Sequence, residues 1–305
     1  MSAVTDRPRA TPTRVEDIPA TRRVPLNQRV PMLLSRIAWY VLCGLLGVTM
    51  LVPLVWMISI ALKTNGDINQ LPPTFLPKEF DFGNFVAGPA QIHFYRLLLN
   101  TVIVTVVSTF GAVASSMIVG YGISRIEFPG RKLWFALISG SLFVPGIVGL
   151  IPLQHLYISL GVIDTWIPLV LPAFFGSPIF VFLARQYYQS IPRYIDESAL
   201  IDGAGHWTIF TKIMLPITKP VWITVAIMSF QLAWNDYLNP LVYLTTSSKF
   251  TLSLGMASFL SDTAGSQYNY YMATNLLFML PPLALFFLAQ RYFMEGIGSL
   301  GTISK

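Results

Sequence analysis

Tyr194 to Trp207 reads YIDESALIDGAGHW. Three carboxylates, Asp196, Glu197 and Asp202, stand there with Gly203, Gly205 and His206, in a chain that is otherwise oily. An exposed carboxylate can accept charge-assisted hydrogen bonds from a basic group on a partner. Small residues beside it, Ser198, Ala199 and Ala204, keep the surface low enough for a second backbone to approach. Catalysis at a membrane surface needs clustered His, Asp or Glu, and no such cluster stands out. His206 reads as a surface contact. His93 and His155 have no second His or Cys at metal-ligand spacing and read as structural. No cofactor is expected.

The elements holding this stretch follow from hydropathy. The chain has 305 residues, 54% hydrophobic and 11% charged, against roughly 25% charged in soluble domains. A helix needs about 20 apolar residues to cross a bilayer. Six runs qualify: Ile37–Leu62, Leu97–Ser124, Leu133–Ile163 (too long for one straight span), Thr165–Ala184, Pro220–Ser248 and Thr263–Gln290. Lipid offers the backbone no hydrogen-bond partner, so each run must be helical, and the alternating ten-residue segments of a barrel are absent. The first run is too long for a signal-peptide core and reads as a retained anchor. The single Cys43 excludes an intrachain disulfide.

These runs give the expected organisation. Residues 1–36 form a basic, flexible cytoplasmic tail, 37–296 a six-span domain, and 297–305 a cytoplasmic C-terminal tail. Of twenty Lys and Arg, sixteen fall on one side if the spans alternate, including seven in the tail and Arg125, Arg131, Lys132, Arg185 and Arg193. The positive-inside rule then puts both termini, and the acidic stretch, in the cytoplasm.

The loop over 190–216 is long for a helical connection, which favours structure and function of its own. Pro192 suits a first helical turn. Asp196 and Glu197 suit the positive end of the helix dipole. Gly203 and Gly205 break the helix, and a second helix is expected over His206–Met214, ending before Leu215-Pro216. Pro220 then opens the fifth span.

Glu197, Ala199 and Gly203, followed by Ile213, Leu215 and Pro216 at fixed offsets, resemble the EAA loop of ABC-transporter permeases. Asp202 and Ala204 fit its IDGA variant, and Ser198 stands where alanine is usual. Asn100-Thr101, GYGISRIEFPGR (Gly120–Arg131), IPLQHLYISLGVIDTW (Ile151–Trp166), AWNDYLNPLVYL (Ala233–Leu244) and AQRYFMEGI (Ala289–Ile297) look similar to the carbohydrate, maltose-type branch. The resemblance implies an all-α integral membrane fold with a cytoplasmic helix–turn–helix coupling loop, the type I importer permease. It implies a bacterial or archaeal cytoplasmic membrane, with a second related permease, two ATPase subunits, an extracytoplasmic solute-binding protein, lipid and a sugar as partners, and no nucleic acid. Glu197, Ser198, Ala199, Asp202, Gly203 and Ala204 would dock the ATPase. The chain itself has no phosphate-cradling G-x-x-x-x-G-K-[ST] loop.

Asp236 reads as an acid near the outer end of the fifth span, either interfacial beside Trp234 and Tyr237 or on the solute pathway. Asn235 and Asn239 flank it and can hydrogen-bond sugar hydroxyls. Asn239-Pro240 is a possible helix break. Gly111, Ser115, Ser116 and Gly120 suggest close helix packing, and Pro281-Pro282 a kink in the sixth span. Phe250, Phe259, Tyr268, Tyr270 and Tyr271 read as an interfacial belt or a face for a binding protein. A glycerol phosphate is an alternative solute. A self-sufficient secondary transporter is a further alternative, but it predicts inverted repeats and midplane carboxylates that the sequence does not display.

Overall fold

The computed structural model describes residues 26–70, 72–260 and 267–301, and the side chains of 35–70, 72–260 and 267–290. The basic tail before residue 26 and the last four residues lie outside the described residues. Among those described, the structure is helical and contains no strand. Two compact units are distinguished, Met1–Val55 and Trp56–Lys305. In the first, helix α1 (Leu26–Ala61) begins, and its side chains from Ser35 to Pro53 are exposed. An all-round apolar surface of this kind suits lipid.

The second unit contains the rest of α1, a helix α2 (Asn84–Gln91) and a long helix α3 (Phe94–Arg125). Then come α4 (Arg131–Ser141), α5 (Leu150–Ser159) and α6 (Pro178–Ser190). The acidic loop forms α7 (Tyr194–Ile201) and α8 (His206–Ile217). Helices α9 (Lys219–Trp234), α10 (Leu238–Tyr243), α11 (Leu252–Met256) and α12 (Tyr268–Gly301) complete it.

Four stretches are long and apolar enough to cross a membrane unbroken: Ser35–Ala61, Phe94–Arg125, Ile167–Ser190 and Tyr268–Gln290. Two bent helix pairs pass the same test together, which gives up to six spans if each pair is one. The run expected as Leu133–Ile163 is divided between α4 and Gly146–Ser159, which meet at 96°. Pro145 and Gly146 lie at that corner, where a missing N–H and a missing side chain both interrupt a helix. The run expected from Pro220 to Ser248 is helical only to Trp234, after which the chain turns through Asn235–Tyr237 into α10. The break therefore precedes Asn239-Pro240, and Pro240 sits inside the new first turn, where its missing N–H costs no bond. Helix α12 continues through Pro281 and Pro282.

Apolar runs alone do not bind helices together in lipid; close packing and polar contacts do. Helix α3 supplies both. A Cβ added at Gly120 would stand 2.7 Å from the Ala184 Cβ, so α3 and α6 cross nearly backbone to backbone. A Cβ at Gly111 would meet the Phe174 ring at 2.6 Å, and the Ser115 hydroxyl donates to the Ala173 carbonyl at 2.9 Å. Elsewhere, Trp234 stacks between Phe230 and Phe278 and donates its indole N–H to the Phe278 carbonyl at 3.2 Å. Phe250, Phe259, Tyr270 and Tyr271 pack into this cluster rather than forming a surface belt, and Tyr268 is exposed.

Candidate functional site

The acidic loop is built as two short helices seated on the end of the bundle. Pro192 ends the preceding span rather than opening α7. Its ring disfavours the helical conformation at Ile191, which is extended (ψ 133°). Arg193 is the N-cap, and its carbonyl accepts the N–H groups of Asp196 (3.0 Å) and Glu197 (3.1 Å). At the other end of α7, the Gly203 N–H reaches the Leu200 carbonyl (3.0 Å) and the Ala204 N–H reaches the Ala199 carbonyl (2.9 Å). This is a Schellman turn, with Gly203 at φ 82° in its left-handed position. A Cβ there would meet no atom within 4 Å, so only the backbone conformation demands glycine within this chain.

The eight residues of α7 divide by face. Tyr194, Glu197, Ser198 and Ile201, spaced i, i+3, i+4 and i+7, are exposed together. Asp202, Gly203, His206 and Trp207 continue that exposed surface, on which Ile201 is 86% and Trp207 66% exposed. Ile195 and Ala199 point inward. Ala199, expected on the docking face, is instead buried against Met117, Tyr121, Tyr188 and Phe210; its small size lets α7 lie close on the bundle. Ala204, Ile213 and Leu215 pack against the same cluster, while Pro216 is exposed.

Helix α8 runs on to Ile217 rather than stopping at Met214. Its Ile209–Met214 segment is π-helical, and the ladder continues past Pro216 to Thr218. The Thr218 N–H and hydroxyl both reach the Met214 carbonyl, at 2.9 and 2.8 Å. There the chain bends by 80° into α9. Such π turns relocate a hydrogen-bond register, and they often mark functional positions.

One residue central to this assembly was counted from the sequence only as a topology charge. The Arg125 side chain is 4% exposed, and its Nη1 donates to Asp196 Oδ2 at 2.7 Å. Its Nη2 donates to the carbonyls of Tyr188 and, at 2.6 Å, Ile191. Those carbonyls close the end of α6, where the Tyr188 carbonyl already accepts the Ile191 N–H at 3.2 Å and the Ile191 carbonyl lies beyond the last helical turn. Arg125 thus fastens α3, α6 and α7 at one point. Burial pushes the Asp196 carboxyl above its usual range, against the opposing pull of Arg125 and, more weakly, His206 and Arg193. The spacing Met117, Tyr121, Arg125 continues an inward stripe of α3, and that was the available signal.

The expected pathway residues separate. Asp236 and Asn239 line a cleft of about 690 Å³ with Ser108, Ser229 and Thr251. Asp236 caps α10, accepting the Asn239 N–H at 3.2 Å and the Asn239 side-chain amide at 2.9 Å. Asn235 is exposed, bonds back to Gln231 and lines a different groove beside Phe278 and Pro282. His93 and His155 are exposed, and among the described residues no three His, Cys, Asp or Glu gather as a metal site.

The structure is thus a helical bundle with an exposed helix–turn–helix at one end. Residues 112–298 match the family described as binding-protein-dependent transport system inner membrane component, and the chain belongs to that family. The arabinooligosaccharides transport system permease protein AraQ of Bacillus subtilis is 31% identical, covering 86% of this chain and 94% of that one. The sn-glycerol-3-phosphate transport system permease protein UgpE of Pectobacterium atrosepticum is 32% identical over 83% and 92%. The diacetylchitobiose uptake system permease protein NgcG of Streptomyces coelicolor is 30% identical over 84% and 85%. A solved chain of a bacterial ABC transporter that imports alginate shares the fold: TM-score 0.76 and 22% identity, over 88% of this chain and 99% of that one. The chain is therefore a multi-pass membrane component of a binding-protein-dependent transport system.

Proposed function

We propose that this chain is one permease half of an ATP-driven sugar or oligosaccharide importer. A second related permease completes the pathway, and an extracytoplasmic binding protein delivers the solute. Two cytoplasmic ATPases supply the work, each permease inserting its α7 equivalent into a cleft of one ATPase. Both termini face the cytoplasm, as the distribution of Lys and Arg favours. The observation that carries this reading is the exposed face of Tyr194, Glu197, Ser198 and Ile201 beside the open Gly203 turn. A loop built only to connect α6 to α9 has no reason to present large apolar side chains next to a carboxylate lacking an ion pair among the described residues. Glu197 offers that carboxylate to a basic group, and Ile201 and Trp207 offer apolar contact.

The sugar assignment draws on AraQ and NgcG; the UgpE relatives support glycerol phosphate as the second reading. The test is disulfide capture from Ser198→Cys to a cysteine introduced in the co-expressed ATPase, in membranes, with ATP-driven uptake followed in parallel. Capture together with uptake of a labelled oligosaccharide supports the proposal. Uptake that persists without any ATPase defeats it, and uptake of glycerol phosphate alone selects the second reading.

A further inference from the structure

A second built feature adjoins the acidic loop, tied to it through the Glu127–Arg193 pair. Between α4 and α6 is a cavity of about 580 Å³ lined by Arg131, Lys132 and Arg185 and by the apolar Ile123, Phe128 and Phe135. Its one acid, Glu127, is paired with Arg193 at 3.4 Å. Three cations therefore share one cavity with a single, already engaged carboxylate.

Two of the cations are held in place. Arg131 donates from Nη2 to the Ser124 carbonyl at 2.9 Å. Arg185 lies over the Phe135 ring, 3.6 Å from its centre, and Phe135 stacks on Phe182. The Arg185 Nε is buried and has no hydrogen-bond partner among the described residues. An oriented guanidinium with an unspent buried N–H costs free energy unless an acceptor comes to it. Gly130, at φ 82°, turns the chain so that α4 starts at this cavity and adds the positive end of its dipole.

We infer that this cavity binds the phosphodiester headgroup of an anionic membrane lipid. Three features select a lipid over a free anion. The lining combines three cations with aromatic and aliphatic side chains, as an amphiphile requires. Leu133, Trp134 and Leu137, on the adjoining turns of α4, are exposed, giving an apolar outer face for acyl chains. Trp134 stands on the first turn of that helix, the depth at which tryptophan marks a membrane interface. Basic pockets between spans at the cytoplasmic level recognise such headgroups by these means.

The experiment is native mass spectrometry and thermal melting of the full-length protein in a neutral detergent, with its co-purifying subunits. The titrants are phosphatidylglycerol, phosphatidylcholine and inorganic phosphate. Retained phosphatidylglycerol and a raised melting temperature are expected, with neither from phosphatidylcholine. Arg185→Gln should weaken phosphatidylglycerol binding about tenfold, the loss of one charge-assisted hydrogen bond. Arg185→Lys should restore part of it. Lys132→Gln, at an exposed position that should not disturb folding, should weaken it severalfold. Equal retention by wild type and Lys132→Gln overturns the proposal. So does equal stabilisation by phosphatidylcholine, or an equal effect of inorganic phosphate alone.

Discussion

The two ends of α3 use the same device for different ends. Asn100 and Arg125 lie about 37 Å apart along the helix, at 1.5 Å per residue. At the first, the Asn100 amide donates to the Ser248 and Phe250 carbonyls, and the Thr101 hydroxyl accepts the Leu252 N–H at 2.7 Å. Nearby, Asp164 gathers the N–H groups of Thr245 and Thr246, the Thr246 hydroxyl and the Lys249 ammonium. At the second, Arg125 gathers two carbonyls and Asp196. Both ends fasten loose backbone with a polar side chain. At the Asn100 end these polar groups are spent on the chain itself. The Arg125 end spends its inner face on the bundle and leaves the outer face of α7 free. A surface that must bind a partner has to be rigid beneath and unsatisfied above.

The largest effect should come from cutting the fastening of that loop. Arg125→Ala leaves Asp196 as a largely buried charge and takes the Arg125 donor from the Ile191 carbonyl. The expected loss is about 3–5 kcal/mol, enough to abolish a folded monodisperse peak on size-exclusion chromatography in detergent. The double change Arg125→Leu with Asp196→Leu should recover most of the folded protein, because no unpaired charge remains. If Arg125→Ala alone melted like wild type, the loop would not depend on this contact.

Next in size is the turn. Gly203→Trp adds a left-handed strain of about 1–2 kcal/mol to a side chain in open space. The bundle should stay folded while ATP-driven uptake in proteoliposomes falls to background. Gly203→Asn, which tolerates the same backbone conformation, should fold nearly as well and keep part of the uptake. Equal transport by the tryptophan variant would show that nothing approaches this turn.

The apolar runs, the acidic loop and its glycine turn were legible because each is a local pattern of about a helical turn or more. What escaped was pairing across the fold. Arg125 looked like one more cytoplasmic charge, since hydropathy cannot tell a solvated arginine from one whose side chain is 4% exposed. Asp164 passed as a break between two apolar runs. Asn235 and Asp236 looked like one constellation, yet a helix end at Trp234 turns them to different grooves. Ala199 fitted its motif position while its burial depends on Tyr121 and Tyr188, distant in sequence.

A middle-sized effect sharpens the contrast from the other end. Asn84 is 1% exposed; its amide reaches the Ala61 and Lys63 carbonyls, both at 2.9 Å, and its oxygen accepts from Asn269 at 3.0 Å. Asn84→Leu should cost about 1–3 kcal/mol for the buried groups it strands. That loss should appear as a lower melting temperature with coupling intact in whatever protein remains folded. A coupling defect without a stability defect would erase the division of labour between the ends.

The smallest effect is in pH, and there the ends should move in opposite directions. The Lys249 hydrogen bond, with those of the Thr246 hydroxyl and of the Thr246 and Thr245 N–H groups, holds Asp164 well below the usual carboxylate range. Its contribution to stability is complete above the ordinary aspartate value, about 4, and fades as pH falls beneath it. Burial raises Asp196, so the folded protein takes up that proton before the unfolded chain does. Acidification through the window just above the ordinary value therefore adds stability at Asp196. Melting curves from about pH 7 to pH 3 should show Asp164→Asn losing its deficit relative to wild type as pH falls. The difference between Asp196→Asn and wild type should instead shift at a higher pH and with the opposite sign. Parallel curves for the two variants would mean that Arg125 outweighs burial at Asp196 and that the two anchors are electrostatically alike.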